Sequence, residues 1–287
     1  MKKPCTHYKE AVCLLSVLAV TSLGAMQENS NIGSSDHGIA TLEAKGKHIK
    51  DLDPASAAAA KALAEAAKGI YLDEVQRIIQ KADSDGLDII AVINAGDQYG
   101  KNAFHRAAEQ GRAETVRFLL DEGADINAED HAGNTALHLA ADTQYTLHWG
   151  DPSKSISGVV ETLLNSPDIL PNKTNKLGRP PLEVAIYKQD YDGARTLLHN
   201  LDRLDLNTPN SKTGDTALHT AAYWGYHMLV EKLLADSRTT VNPKNAQGMT
   251  PLGCIPKKDP FEYPGNSNYR VNHDRVRKLL LAKNATL

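Results

Sequence analysis

Apolar residues recur along much of this chain in two alternating helical phases separated by polar breaks. The first phase is short: Phe104 with Ala107 and Ala108, Leu137 with Ala140 and Ala141, Leu218 with Ala221 and Ala222. Steps of three and four residues place these side chains on one helix face. The second phase follows each break: Val116, Phe118, Leu119 and Leu120; then Val160, Leu163 and Leu164; then Leu197 and Leu198; then Val230, Leu233 and Leu234. The pattern predicts pairs of helices that bury these faces against each other. The small Ala pairs let the two helices, and the next pair, approach closely. Gly111 and Gly225 end the first helix and Gly123 closes a second one, where a left-handed residue favours glycine.

The pairs repeat. GKNAFHRAA at 100–108 returns as GNTALHLAA at 133–141, GRPPLEVAI at 178–186, GDTALHTAA at 214–222 and GMTPLGCI at 248–255. The leading glycines, Gly100, Gly133, Gly178, Gly214 and Gly248, are spaced 33, 45, 36 and 34 residues apart. Asp-x-x-Gly segments such as Asp130-His131-Ala132-Gly133 predict the β-turns between units. The period and the T-P-L-H-x-A-like signature resemble the ankyrin-repeat family. The resemblance implies an all-α solenoid of helix-turn-helix units with β-turn fingertips. About six repeats are expected over 54–287, the first (62–94) and last (250–287) divergent, as capping units of a solenoid should be.

Upstream of the repeats the character changes. Lys2, Lys3 and Lys9, the apolar run AVCLLSVLAV at 11–20 and the small residues at 22–25 read as a signal peptide over 1–25. Cleavage is expected after Gly24 or Ala25, and the apolar run is too short to span a membrane. Residues 26–53 have no sustained apolar period and are expected to be a flexible linker, with order beginning at the N-cap Asp53 and Pro54. An exported protein, periplasmic or secreted and of bacterial type, is the expectation.

Composition narrows the function. Aromatic residues make up 5% of the 287, so the core is built from Ala, Leu, Ile and Val. The formal charge is −3, and without residues 1–25 the 29 basic and 34 acidic residues leave −5. A mildly acidic body lacks the positive field that phosphate binding requires, so no nucleic-acid partner is expected.

Candidate chemistry is sparse. His105, His138 and His219 occur once per repeat, a ladder spaced by about 10 Å for packed helices. One zinc ion needs its ligands within 2.0–2.3 Å. The family resemblance implies that each ladder His bonds the backbone of a neighbouring turn. Glu183 and Gly253 replace it in the fourth and sixth repeats. His148, near Trp149 and Asp151, has no companion at metal-ligand spacing, and Cys254 is expected to be a buried, inert thiol. No phosphate loop, dinucleotide fingerprint or nucleophile elbow is present in the sequence. No cofactor, metal or catalytic residue is expected, and the chain is read as a non-enzyme. An enzyme using His148, His219 or Cys254 is the rival reading, and a purely structural scaffold a third.

The resemblance implies binding through fingertip turns and the concave face of the first helices. Outward positions there are Arg106, Glu109 and Gln110; Leu139, Asp142 and Thr143; Tyr187 and Lys188; Thr220, Tyr223 and Trp224. Exposed Tyr and Trp are frequent interface hot spots. The expected partner-binding residues are therefore Tyr187, Tyr223, Trp224, Arg106, and Tyr145 and Trp149 in the insertion at 142–158. A second insertion at 256–274 carries Phe261, Tyr263 and Tyr269. The first insertion stands equally as functional or neutral, and Trp224 as a contact, as the cover of a helix end, or as a packing residue against Tyr187 of the preceding repeat. The expected partner is another protein, bound by a monomer, as an inhibitor, a protector or a host-engaging factor.

Overall fold

A computed structural model describes residues 48–142, 156–187, 191–199, 201–256 and 272–286. They belong to one unit, Ala40–Leu287; the other unit, Met1–Ile39, lies outside the described residues. So do the expected signal peptide, most of the expected linker, His148, Tyr145, Trp149 and the centre of the second insertion.

Twelve α-helices are present among the described residues: α1 (Pro54–Ala66), α2 (Leu72–Ser84), α3 (Ile89–Asn94), α4 (Ala103–Glu109), α5 (Ala113–Asp121), α6 (Ala136–Ala141), α7 (Ile156–Asn165), α8 (Pro181–Tyr187), α9 (Tyr191–His199), α10 (Ala217–Trp224), α11 (His227–Ala235) and α12 (His273–Ala282). The first helices α4, α6, α8 and α10 pack side by side, and the second helices α5, α7, α9 and α11 line up behind them. A solenoid results because each unit can bury its apolar face only against the next.

One core runs the length of the stack. Leu63, Phe104, Leu137 and Leu218 from first helices, and Val116, Leu119, Leu163, Leu197 and Leu233 from second helices, are buried. Phe118 and Leu120, expected inside, are only half-buried and pack against its edge. The Ala pairs 107–108, 140–141 and 221–222 have no exposure at all. Any larger side chain there would separate the helices.

The finger turns fall where the leading glycines predict them. Gly100, Gly133, Gly178, Gly214 and Gly248 all have φ between 73° and 81°. At each turn an Asp or Asn side chain accepts two backbone N–H bonds: Asp130 Oδ1 from Ala132 and Asn134, both at 2.8 Å. The Asn175 and Asn245 carboxamides repeat the arrangement. Consecutive fingers are stitched by single backbone bonds: His131 N–H to Tyr99 O (2.8 Å), Lys176 to Ala132 (2.9 Å), Ser211 to Gly178 (2.8 Å) and Ala246 to Thr213 (3.0 Å).

Three features depart from the sequence expectation. Order extends upstream of Asp53: His48 bridges Gly96 in parallel, Ile49 N–H donates to Gly96 O at 3.0 Å, and Ile49 is buried. One apolar side chain with a backbone partner suffices to seat this segment, although polar neighbours hide it in the sequence. Asp53 itself caps α1 as expected, accepting Ala55 and Ser56 N–H at 3.0 Å. The divergent first repeat carries a third helix, α3, capped by Asp88 and burying Val92 and Ile93. In the sixth repeat, Pro251–Cys254 form a turn, and α12 alone is helical.

Candidate functional site

The local sequence of each full repeat places its histidine with both ring nitrogens engaged. Thr135 caps α6, and its N–H donates to His138 Nδ1 at 3.1 Å. That assigns the proton to Nε2, which donates to Arg179 O of the next finger at 3.0 Å. The fifth repeat repeats the geometry, with Thr216 N–H on His219 Nδ1 at 3.1 Å and His219 Nε2 donating to Met249 O at 3.0 Å. His105 Nε2 reaches Ala128 O at 3.1 Å and Asn134 O at 3.3 Å. Burial depresses the basicity of all three rings, and that of His138 falls to about 4. A buried neutral imidazole that joins two repeats is a structural tie.

Glu183 stands at the ladder position of the fourth repeat for a local reason. Pro180 occupies the place of the capping Thr and has no N–H for an imidazole nitrogen to accept. Glu183 instead accepts Asn210 Nδ2 at 3.0 Å. Burial raises its carboxyl to about 7, against the lowering effects of Asn210 and Arg179.

Asp215, His219 and Cys254 bring ligand-type atoms within 4.8 Å of one another, the one such trio among the described residues. Hydrogen bonds occupy the cluster: Asn245 Nδ2 donates to Asp215 Oδ1 at 2.7 Å and lies 3.7 Å from Cys254 Sγ. Cys254, expected to be buried, is half-buried, because the sixth repeat turns there without a helix to cover it.

The expected binding residues divide. Tyr187 ends α8, while Tyr223 and Trp224 end α10 of the next repeat, and all three are half-exposed. Tyr187 and Trp224 meet edge to face with centroids 6.2 Å apart, and Tyr223 and Trp224 at 5.3 Å. The Arg179 guanidinium lies 3.4 Å over the Tyr187 ring. Beneath the cluster, His273 Nε2 of α12 donates to Tyr223 O at 2.9 Å.

Arg106 lies apart from these rings. It is ion-paired with Asp97 and, at 3.2 Å, with Glu109, which also takes Lys101 at 2.8 Å. Its side chain is 18% exposed. Burial opposes its charge, but Asp97 and Glu109 outweigh that and hold it above the usual guanidinium range. Leu139 and Thr220, read as outward, are buried, because α4 and α8 flank α6, while α8 and α12 pack against α10.

Exposed apolar side chains also stand on the fingers. Tyr99 and Leu177 are 59% and 51% exposed, each immediately before a turn glycine. The same position is exposed at Ala132 and Gln247 and half-exposed at Thr213, so alignment of the glycines marks it as a surface place.

Comparison with known proteins agrees with this architecture. A model described as ankyrin repeats (3 copies) matches residues 44–130 and 63–148, and a model of the single ankyrin repeat matches 132–176 and 213–246. The chain belongs to the ankyrin-repeat family. It is 30% identical over 99 residues to human Rabankyrin-5, covering 34% of this chain and 8% of that protein. It is 27% identical over 182 residues to the putative ankyrin repeat protein FPV014 of Fowlpox virus (strain NVSL), covering 63% of this chain and 36% of the relative. The chain thus spans little more than a third of the poxvirus protein and under a tenth of Rabankyrin-5. Ankyrin repeats are scaffolds for protein–protein interaction. No helix among the described residues is long and apolar enough to cross a membrane.

Proposed function

We propose that this is an exported protein-binding scaffold whose contact surface centres on Tyr187, Tyr223 and Trp224. The observation that carries the reading is the run of three edge-stacked, half-exposed rings at the ends of two adjacent first helices. Rigid aromatic surface loses little conformational entropy on binding, and such side chains concentrate binding energy. Arg179 over Tyr187 adds a cation at the edge of the patch. The ladder histidines, the obvious catalytic candidates, are engaged in holding repeats together. We therefore read the chain as a non-enzyme that binds a protein as a monomer, as an inhibitor or protector in the periplasm or as a secreted factor engaging a host protein.

The proposed export rests on the Lys-rich start, the apolar run at 11–20 and the small residues at 22–25. N-terminal sequencing of protein from fractionated cells is expected to find a start near Met26 outside the cytoplasm. An intact Met1 in the cytosol would overturn export. For binding, the whole mature chain and its Tyr223→Ala variant serve as baits against the native cell envelope, followed by mass spectrometry. A partner held by the first and lost by the second supports the aromatic surface; equal capture by both refutes it.

A further inference from the structure

We propose that His48 and His131 form a binding site for a divalent cation of the zinc class, which fastens the segment entering the repeats to the first fingers. The two Nε2 atoms face each other at 3.4 Å, with ring centroids 4.9 Å apart and planes inclined at 60°. That separation is long for a hydrogen bond, whose N–H donors usually lie at about 2.9–3.0 Å. It equals the edge of a zinc tetrahedron: two nitrogens at about 2.0–2.1 Å from one ion are about 3.3–3.4 Å apart. A cation taken up here displaces any Nε2 proton and is bonded by both imidazole lone pairs.

Both rings are held from below. The His48 backbone bridges Gly96, and burial of Ile49 anchors the next residue. Asp51 closes the turn after His48, its N–H donating to His48 O at 2.8 Å and its carboxylate accepting His48 N–H at 3.3 Å. His131 N–H donates to Tyr99 O at 2.8 Å, and its ring lies over Gly100 so closely that a Cβ there would sit 2.7 Å from His131 Cδ2. Gly100 therefore serves both the left-handed turn and the approach of the ring. A cleft of about 350 Å³ adjoins the pair, with Asp125 and Glu129 in its lining. It leaves room for water or a carboxylate in the remaining positions, as an open zinc site requires. His48 precedes the repeats and His131 sits on the second of the five fingers, so one ion joins parts of the chain 83 residues apart.

The test is titration of the whole mature chain with Zn²⁺ by calorimetry, with Co²⁺ as a spectroscopic substitute. One equivalent is expected to bind, and to slow tryptic cleavage at Lys50. His48→Ala and His131→Ala should each weaken binding by about tenfold or more, and the double variant should lose the equivalent altogether. His131→Gln, measured in chelator, checks that the unfolding midpoint is otherwise unchanged. Absence of binding, unchanged affinity in either single variant, or a full equivalent still bound by the double variant would overturn the site. So would a thiolate-to-cobalt absorption band abolished by Cys254→Ser, which would place the metal at Asp215, His219 and Cys254 instead.

Discussion

Tyr187 and Trp224 stand edge to face across a repeat boundary, centroids 6.2 Å apart, each half-exposed. One contact therefore joins two repeats and presents aromatic surface to solvent. Trp224→Ala is expected to lower stability by about 2 kcal/mol, less than the 3–5 of a core tryptophan, because the ring is only half-buried. Denaturant midpoints check this, and a change within error would mean that the ring serves only as a contact surface.

Tyr223 separates binding from packing better, since its ring meets Trp224 within one helix. Tyr223→Ala should weaken partner binding by about 2 kcal/mol with a smaller loss of stability. Affinity per folded molecule and unfolding midpoint, measured on the same protein, distinguish the outcomes. A large stability loss at constant affinity would make Tyr223 a packing residue.

Replacing His138 by Ala strands Thr135 N–H and Arg179 O, the two partners of its ring, and should cost roughly 1–3 kcal/mol near neutral pH. The pH dependence has a fixed sign. The folded ring titrates at about 4, below its ordinary 6.5, so its contribution is present above 6.5 and lost as pH falls through 4. The difference amounts to about 3 kcal/mol, and unfolding curves between those limits should flatten in the variant.

Glu183 works in the opposite direction. Burial lifts its folded titration to about 7 from an ordinary 4.5, so stability from this group is full below 4.5 and declines as pH rises through 7. Glu183→Gln keeps an acceptor for Asn210 without the buried charge. It should exceed the parent in stability by about 3 kcal/mol at pH 8 and match it near pH 4. Chemical denaturation at the two pH values decides, and a variant weaker at pH 8 would refute the sign.

The finger glycines differ in what surrounds them. Gly133 has φ 76°, and a Cβ there would meet Lys176 N at 2.8 Å, whereas Gly248 has φ 74° with nothing within 4 Å. Both Ala variants carry the left-handed cost of about 1–2 kcal/mol. Only Gly133→Ala must also disturb the Lys176-to-Ala132 bond, so its loss should be about twice as large. Thermal unfolding of the two proteins side by side is the measurement.

The family resemblance and the bonding pattern together explain the ladder. Once His138 follows Thr135 by three residues at a helix start, a capping contact is expected, and the repeat supplies the next finger for its other nitrogen. The same reasoning missed α3, where the apolar run Ile89–Ile93 follows Asp88, a capping signal passed over because the family pattern offered no helix there. It also placed Leu139 and Thr220 outside. Helical phase alone locates the face toward the partner helix, and cannot show that neighbouring repeats cover the flanks as well.

Periodic apolar residues, turn glycines and helix caps are local signals, and by themselves they determined the helix pairs, the fingers and the order of the stack. Those signals act through neighbours in sequence, so they can be read without coordinates. Three relationships needed the tertiary structure: that Trp224 does pack against Tyr187, the burial of the Arg106 charge against Asp97, and the facing of His48 and His131. Each depends on the distance between side chains from different structural elements. That distance is set by how repeats and incoming chain pack, and packing belongs to the whole stack.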